Sequence, residues 1–358
     1  MNTPMNHQSS THSKPTHLRG GGSFSQSLSI LALLAFASIA QAATYAPAAD
    51  PGENKVETLS TDWIDAARSD RKVPVKIYYP AGSDACPVII FSHGLGGTRE
   101  GYEIHGRYWA SHGYISVHLQ HLGSDDAVWR GVPPRDIMAA MRKAAMDPQA
   151  IRDRPKDVTF AIDTLEKLNR DEKSPLHKRL DLAKLAMAGH SFGSWTTLAV
   201  GGLSAGPLGQ AGMDKRIKAM IPMSSPAVKM PSMQAAAYGK IAIPALHMTG
   251  TLDDSPVNDT SAKERRIPYD HSPGPKEKGA DCYLIIFEGG DHGIFAGGGA
   301  RRVGRPDKDA EFHKLIHQTS LAFLDAYLRD NQDAKAWLQS DTGMKATLGK
   351  TATLEMKK

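Results

Sequence analysis

The chain has 358 residues, 41% of them hydrophobic and 23% charged, with a formal net charge of +5. That composition supports one large packed domain or two small ones. The basic residues are dispersed, with short pairs such as Arg265-Arg266 and Arg301-Arg302 and no basic patch interleaved with aromatics, which argues against a nucleic-acid partner.

Residues 27–40 form an uncharged apolar run that ends in Ala40-Gln41-Ala42, an A-x-A cleavage pattern, with Lys14 and Arg19 ahead of it. The pattern predicts a signal peptide over 1–42 and a secreted or periplasmic protein. The run falls short of the ~20 residues that span a bilayer, and no second such run follows, so no stable membrane anchor is expected. Residues 43–54, rich in Ala and Pro, read as a flexible lead-in.

The domain itself is expected over 55–330. Residues 55–80 alternate, with Val73–Tyr79 the clearest strand, and suggest a hairpin at a sheet edge. Pro87–Phe91 is a continuous apolar run of the buried parallel kind. It ends in the glycine-rich turn His93-Gly94-Leu95-Gly96-Gly97, followed by a helix through Tyr102 to Ser111 and a strand over Tyr114–Leu119. Residues 122–182 are polar, with helices over Asp136–Met146 and Val158–Leu168. A short apolar strand from about Lys184 leads into Gly189-His190-Ser191-Phe192-Gly193 and a helix to about Val200. Ile217–Met223, Pro244–Met248 and Tyr283–Phe287 read as further strands, and Glu311–Arg329 as an amphipathic helix. The stretch 331–358 reads as a polar C-terminal tail. Strands alternating with helices predict an α/β fold with a mostly parallel central sheet covered by helices on both faces.

Residues 189–193 fit G-x-S-x-G, the pattern of the nucleophile elbow, where a serine sits on a tight strand-to-helix turn. A second match, Gly202-Leu203-Ser204-Ala205-Gly206, follows no strand and runs into Pro207, so context selects Ser191. A serine hydroxyl needs a base, and the base needs a group to orient it. In the elbow fold the order is Ser, acid, His. Downstream of Ser191, one strand runs into Thr249-Gly250-Thr251-Leu252-Asp253-Asp254 and the next into Glu288-Gly289-Gly290-Asp291-His292-Gly293. This selects His292 as base and Asp253 as acid, with Asp254 as competitor; Asp291 is adjacent to His292 and badly placed to orient it. Oxyanion donors are expected at the backbone N–H groups of Leu95 and Phe192.

Other residues invite rival readings. The turn 93–97 lacks the spacing of a phosphate-binding loop, and no cofactor motif is present. His118 and His121, three apart on or just past a strand, point to opposite faces, so no metal is expected. His190 reads as packed in the elbow and Trp195 as core. Phe295 lines an acyl pocket or simply packs. Cys86 and Cys282 each precede a strand pattern; two free, half-buried thiols are favoured over a disulfide.

Phe91-Ser92-His93-Gly94-Leu95-Gly96 and Gly189–Gly193 resemble the corresponding motifs of the secreted and plasma-type platelet-activating-factor acetylhydrolases. Arg71–Pro80, Gly250–Val257 and Gly289–Gly293 are similar to bacterial dienelactone-hydrolase-like and cutinase-like polyester-hydrolase proteins. The resemblance runs in pieces from about residue 55 to 328. It implies an α/β-hydrolase fold and a Ser191–Asp253–His292 triad with Leu95 and Phe192 as oxyanion hole. Ser194 stands where many relatives have a further glycine, and the cysteine nucleophile of true dienelactone hydrolases is absent. The expected activity is carboxylic ester hydrolysis on a small-molecule, lipid or polymeric ester. The alternatives are a non-catalytic binding protein of the same fold and an acyltransferase. Oligomeric state is not legible.

Overall fold

The computed structural model describes residues 45–204, 209–297 and 306–358; the expected signal peptide, the end of the second G-x-S-x-G match and Arg301-Arg302 lie outside them. Among the described residues, nine strands form one sheet in the order β1-β2-β4-β3-β5-β6-β7-β8-β9. They are β1 Val56–Asp65, β2 Arg71–Pro80, β3 Cys86–Ser92, β4 Ile115–Leu119, β5 Leu180–His190, β6 Ile217–Met223, β7 Ala245–Leu252, β8 Cys282–Asp291 and β9 Ala352–Lys357. The helices are α1 Glu103–Ser111, α2 Ile137–Ala145, α3 Pro148–Arg170, α4 Phe192–Gly201, α5 Pro231–Tyr238, α6 Ile267–His271, α7 Pro306–Leu328, α8 Gln332–Gln339 and α9 Met344–Leu348.

β1 and β2 form the antiparallel edge hairpin, and β2 pairs antiparallel with β4. From β4 through β3, β5, β6, β7 and β8 every pairing is parallel. All seven residues of β3 are buried, as its run of branched apolar side chains requires of a strand covered on both faces. On one face Trp109 of α1 and Phe312, Ile316 and Phe323 of α7 pack against Phe91, Ala188 and Ile221. On the other, Val158, Ile162 and Leu165 of α3 pack against Ile90, Val117 and Met187. This is the α/β-hydrolase fold. Strand order reverses at β3, which has β4 on one side and β5 on the other. Ligands of open α/β sheets bind outside the strands' carboxyl ends at such a switch point.

Three segments differ from their sequence reading. α3 begins at Pro148, capped by the Asp147 side chain, and runs through Pro155. An interior proline costs a helix ~3 kcal/mol, so the sequence pattern points to a later start. Residues 45–54 lie against the body: the Tyr45 hydroxyl donates to Asp325 at 2.7 Å and the Gly52 N–H to Ser111 Oγ at 2.8 Å. Residues 331–358 are structural rather than a peripheral tail. α8 and α9 bury Ala334, Leu338, Met344 and Leu348, and β9 pairs antiparallel with β8. The buried positions are few and confined to one face, which the polar average of that stretch conceals. Cys86 and Cys282 open β3 and β8 as buried free thiols.

Candidate active site

Ser191 leaves β5 with φ 57° and ψ −116° and starts α4 at once. Such a backbone is costly for a residue with a Cβ and persists only where its surroundings enforce it. Here the Ser191 N–H donates to the Met223 carbonyl at 2.9 Å, and the Ser191 carbonyl accepts from Ser194 and Trp195 at 2.9 and 3.2 Å. The flanking glycines are needed for space. A Cβ on Gly189 would fall on the Gly193 carbonyl, and one on Gly193 on the Ser92 carbonyl.

β7 ends at Leu252, so Asp253 is the first residue past it; β8 ends at Asp291, so His292 is the first past that strand. The turns bring the three residues together. His292 Nε2 lies 3.0 Å from Ser191 Oγ, and His292 Nδ1 lies 2.7 Å from Asp253 Oδ1. Asp253 is fully buried, and its other oxygen accepts from the Ser224 hydroxyl at 2.6 Å and the Thr249 hydroxyl at 2.7 Å. A carboxylate only accepts, so the proton on His292 belongs on Nδ1 and Nε2 is left to accept from Ser191. Burial pushes the Asp253 carboxyl upward, but the His292 hydrogen bond, the charge of Arg265 and the Ser224 hydroxyl outweigh it and hold it below its usual value. Arg265 is itself buried. It donates to the carbonyls of Ser224 and Asp253 at 2.8 and 3.1 Å and reaches 3.2 Å from His292 Nδ1.

The competitors lie elsewhere. Asp254 is exposed and caps the following loop by accepting from the Ala262 N–H at 2.9 Å. Asp291 accepts from the Gly293 N–H at 2.7 Å. Ser204 follows the end of α4, with no strand leading into it. His118 bonds to the Gly101 carbonyl and Ser116, whereas His121 bonds to Ser92 and Asp157, so the two rings diverge.

Leu95 and Phe192 flank Ser191 on the wall of a cavity of about 340 Å³. Among the described residues, neither backbone N–H has an acceptor. Their positions follow from register: Ser92 at the end of β3 pairs with Gly189 on β5, so the turn after β3 faces the elbow. Tyr102 links the two, its hydroxyl accepting from the Gly94 N–H at 3.2 Å and bonding to His190 Nδ1 at 2.8 Å. His190 is buried beneath His292, ring centroids 4.6 Å apart, and burial together with the neighbouring His292 holds its pKa far below the usual histidine value.

One reading needs correction. Trp195 is only partly buried and lines the Ser191 cavity with Met146, Ile151 and Val257, because α4 turns that face outward. Phe295, read as either a pocket wall or a packed residue, is fully buried with its ring against His190 and Phe287. A larger cavity of about 800 Å³ lies between α3 and α4; it shares Ile151 and Trp195 with the smaller one but is not lined by Ser191.

Residues 64–131 match the family "Platelet-activating factor acetylhydrolase, isoform II". The matched segment contains the β3 exit turn with Leu95 and stops short of Ser191. The chain is also similar to a platelet-activating factor acetylhydrolase of Cavia porcellus, 29% identical over 157 residues, covering 36% of this chain and 34% of that protein. The chain thus spans about a third of the length of the curated relative it matches. Among the described residues, no helix is long and apolar enough to cross a membrane.

Sequence reasoning missed the groups behind the three residues. Ser224 is unremarkable in sequence, Thr249 opens a strand-end segment but has no role assigned there, and Arg265 reads as half of a short basic pair. The strand-end positions of Ser224, directly after Met223, and of Thr249, directly after the strand read over Pro244–Met248, offered the signal.

Proposed function

We propose that the chain is an exported carboxylic ester hydrolase that works through an acyl-enzyme on Ser191. The observation that carries the reading is the continuous hydrogen-bonded line from Ser191 Oγ through His292 to buried Asp253, at 3.0 and 2.7 Å. Ser191 Oγ attacks the ester carbonyl carbon while His292 Nε2 takes its proton. The oxyanion is received by the N–H groups of Leu95 and Phe192. Collapse breaks the bond to the alcohol oxygen, which leaves with the proton from His292. Water then attacks the acyl carbon, His292 again takes a proton, and the acid and free Ser191 are released. Asp253 keeps the imidazole in the required tautomer and offsets its charge.

Support for an ester comes from the acetylhydrolase similarity, and the apolar cavity beside Ser191 suits a short acyl group. The pattern over residues 1–42 supports export. A fluorophosphonate probe tests the reading directly. Wild-type protein is expected to be labelled at Ser191 and to hydrolyse p-nitrophenyl acetate, and S191A to do neither. Equal labelling of S191A, or a folded wild type that turns over no short ester, sinks it.

A further inference from the structure

A second Ser–His–Asp line lies behind the first. Ser92 Oγ is 2.9 Å from His121 Nε2, and His121 Nδ1 is 3.0 Å from Asp157 Oδ2. All three are fully buried, and Ser92 Oγ already accepts from Arg154, so this line has no access to substrate. Its interest lies in Arg154.

Arg154 comes from α3 and is 1% exposed. Among the described residues it ion-pairs with no carboxylate; Asp157 is taken by Arg68, Arg71 and His121. A buried cation without a direct counter-ion is expensive unless every donor is used. Each nitrogen of the guanidinium has a neutral acceptor. Nη2 donates to Ser92 Oγ at 2.9 Å and to the His93 carbonyl; Nη1 donates to Ser124 Oγ at 2.8 Å; Nε donates to Thr196 Oγ1 at 2.9 Å. Its carbon stands 4.5 Å from the centroid of the Phe192 ring.

These partners come from three places: the end of β3, the loop after β4 and the start of α4. Ser92 and His93 enter the turn that carries Leu95. Ser124 holds the far side of that turn, because its carbonyl accepts the Gly96 N–H at 2.9 Å. Phe192 and Thr196 belong to the first turns of α4. A single side chain therefore clamps the Leu95 turn at both ends and ties it to the helix that begins at Phe192. We infer that Arg154 is the positioning residue of the oxyanion hole, fixing the separation of the Leu95 and Phe192 N–H groups without touching substrate. The inference rests on the ester-hydrolase reading above.

The planar fork is what the role requires. A lysine ammonium keeps the charge but cannot spread its donors over Ser92, His93, Ser124 and Thr196 together. Misplacing a transition-state donor by about 1 Å costs about 100-fold in rate, close to deleting the donor.

The test compares wild type, R154K, R154M and T196V. Active sites are counted by the end-point of fluorophosphonate labelling, and kcat and KM are then expressed per labelled site. Both Arg154 variants are expected to lose about 100-fold in kcat with KM within threefold. Their inhibition by a trifluoromethyl ketone, which forms a tetrahedral adduct, should weaken by the same factor. A structural role alone would lower the number of labelled sites and leave kcat per site unchanged. R154K with wild-type kcat per site, or a loss confined to labelled sites or to KM, overturns the inference. T196V removes the Arg154–Thr196 bond, together with the Thr196 hydroxyl's bond to the Phe192 carbonyl at 3.1 Å, and carries the test where the Arg154 variants do not fold. It is expected to lose about fivefold in kcat per site, and an unchanged kcat overturns the inference. Absence of labelling in wild type would instead count against the ester-hydrolase reading.

Discussion

Asp253 offers one carboxylate oxygen to His292, at 2.7 Å, and keeps the other for the protein. Ser224 and Thr249 hold that second oxygen at 2.6 and 2.7 Å. The carboxylate therefore cannot rotate to present a different edge, and the ring facing it is fixed in plane as well as in tautomer. Asp254, one residue on, is occupied with the Ala262 N–H at the surface.

The two aspartates are accordingly expected to separate by mutation. D253N places an amide where the imidazole N–H needs an acceptor and should cost about 10³- to 10⁴-fold in kcat. D254N should remain within threefold of wild type. Steady-state hydrolysis of p-nitrophenyl acetate by the two purified variants decides the matter, and a larger loss in D254N would move the acid to that position.

The elbow and the two strand-end turns were legible because each is short, glycine-marked and attached to an apolar run. Gly189, Gly193, Asp253 and His292 all follow from local pattern together with chain order. What the pattern could not carry is long-range side-chain convergence. Arg154 sits in a polar helical stretch 37 residues before Ser191, and nothing in its neighbourhood marks it as buried. Arg265 looks like half of a solvated basic pair until Ser224, Asp253 and His292, just past the ends of β6, β7 and β8, are seen to gather around it. β9 escaped for a different reason: it is an edge strand whose alternating residues are only partly covered, so its apolar signal is weak.

His247 gives a prediction on stability. It lies fully inside the domain on β7, with its ring edge-on to Tyr269, and among the described residues neither ring nitrogen has a hydrogen-bond partner. Burial, with a smaller contribution from Lys357, pushes its pKa down to about 3. In the unfolded chain the ring protonates near pH 6.5. Between pH 6.5 and about 3 the unfolded state therefore binds one more proton than the folded state at this site, and stability falls as pH falls, by ~1.4 kcal/mol per pH unit. H247L removes both the titration and the unpaired polar atoms. Urea unfolding at pH 7.5 should show equal or greater stability, and the slope of stability against pH between 6 and 4.5 should become shallower by about that amount. An unchanged slope would mean that the ring is hydrated or charged in the folded protein.

Trp195 separates two spaces of unequal size. The cavity of about 340 Å³ beside Ser191 and the one of about 800 Å³ between α3 and α4 have Trp195 and Ile151 as common walls. The indole bounds the space beside Ser191 on the side of the larger cavity, so on the acyl-enzyme reading proposed above short acyl groups are expected to be favoured. W195A removes that wall without touching Ser191, His292 or Asp253. Each further methylene that finds apolar cover gains about 0.8 kcal/mol, roughly a factor of four. For p-nitrophenyl octanoate against butanoate, the ratio of kcat/KM should therefore rise about tenfold or more in W195A, with acetate hydrolysis within a few-fold of wild type. A ratio that does not move would mean that the acyl chain leaves the site along another wall, towards Met146 and Val257.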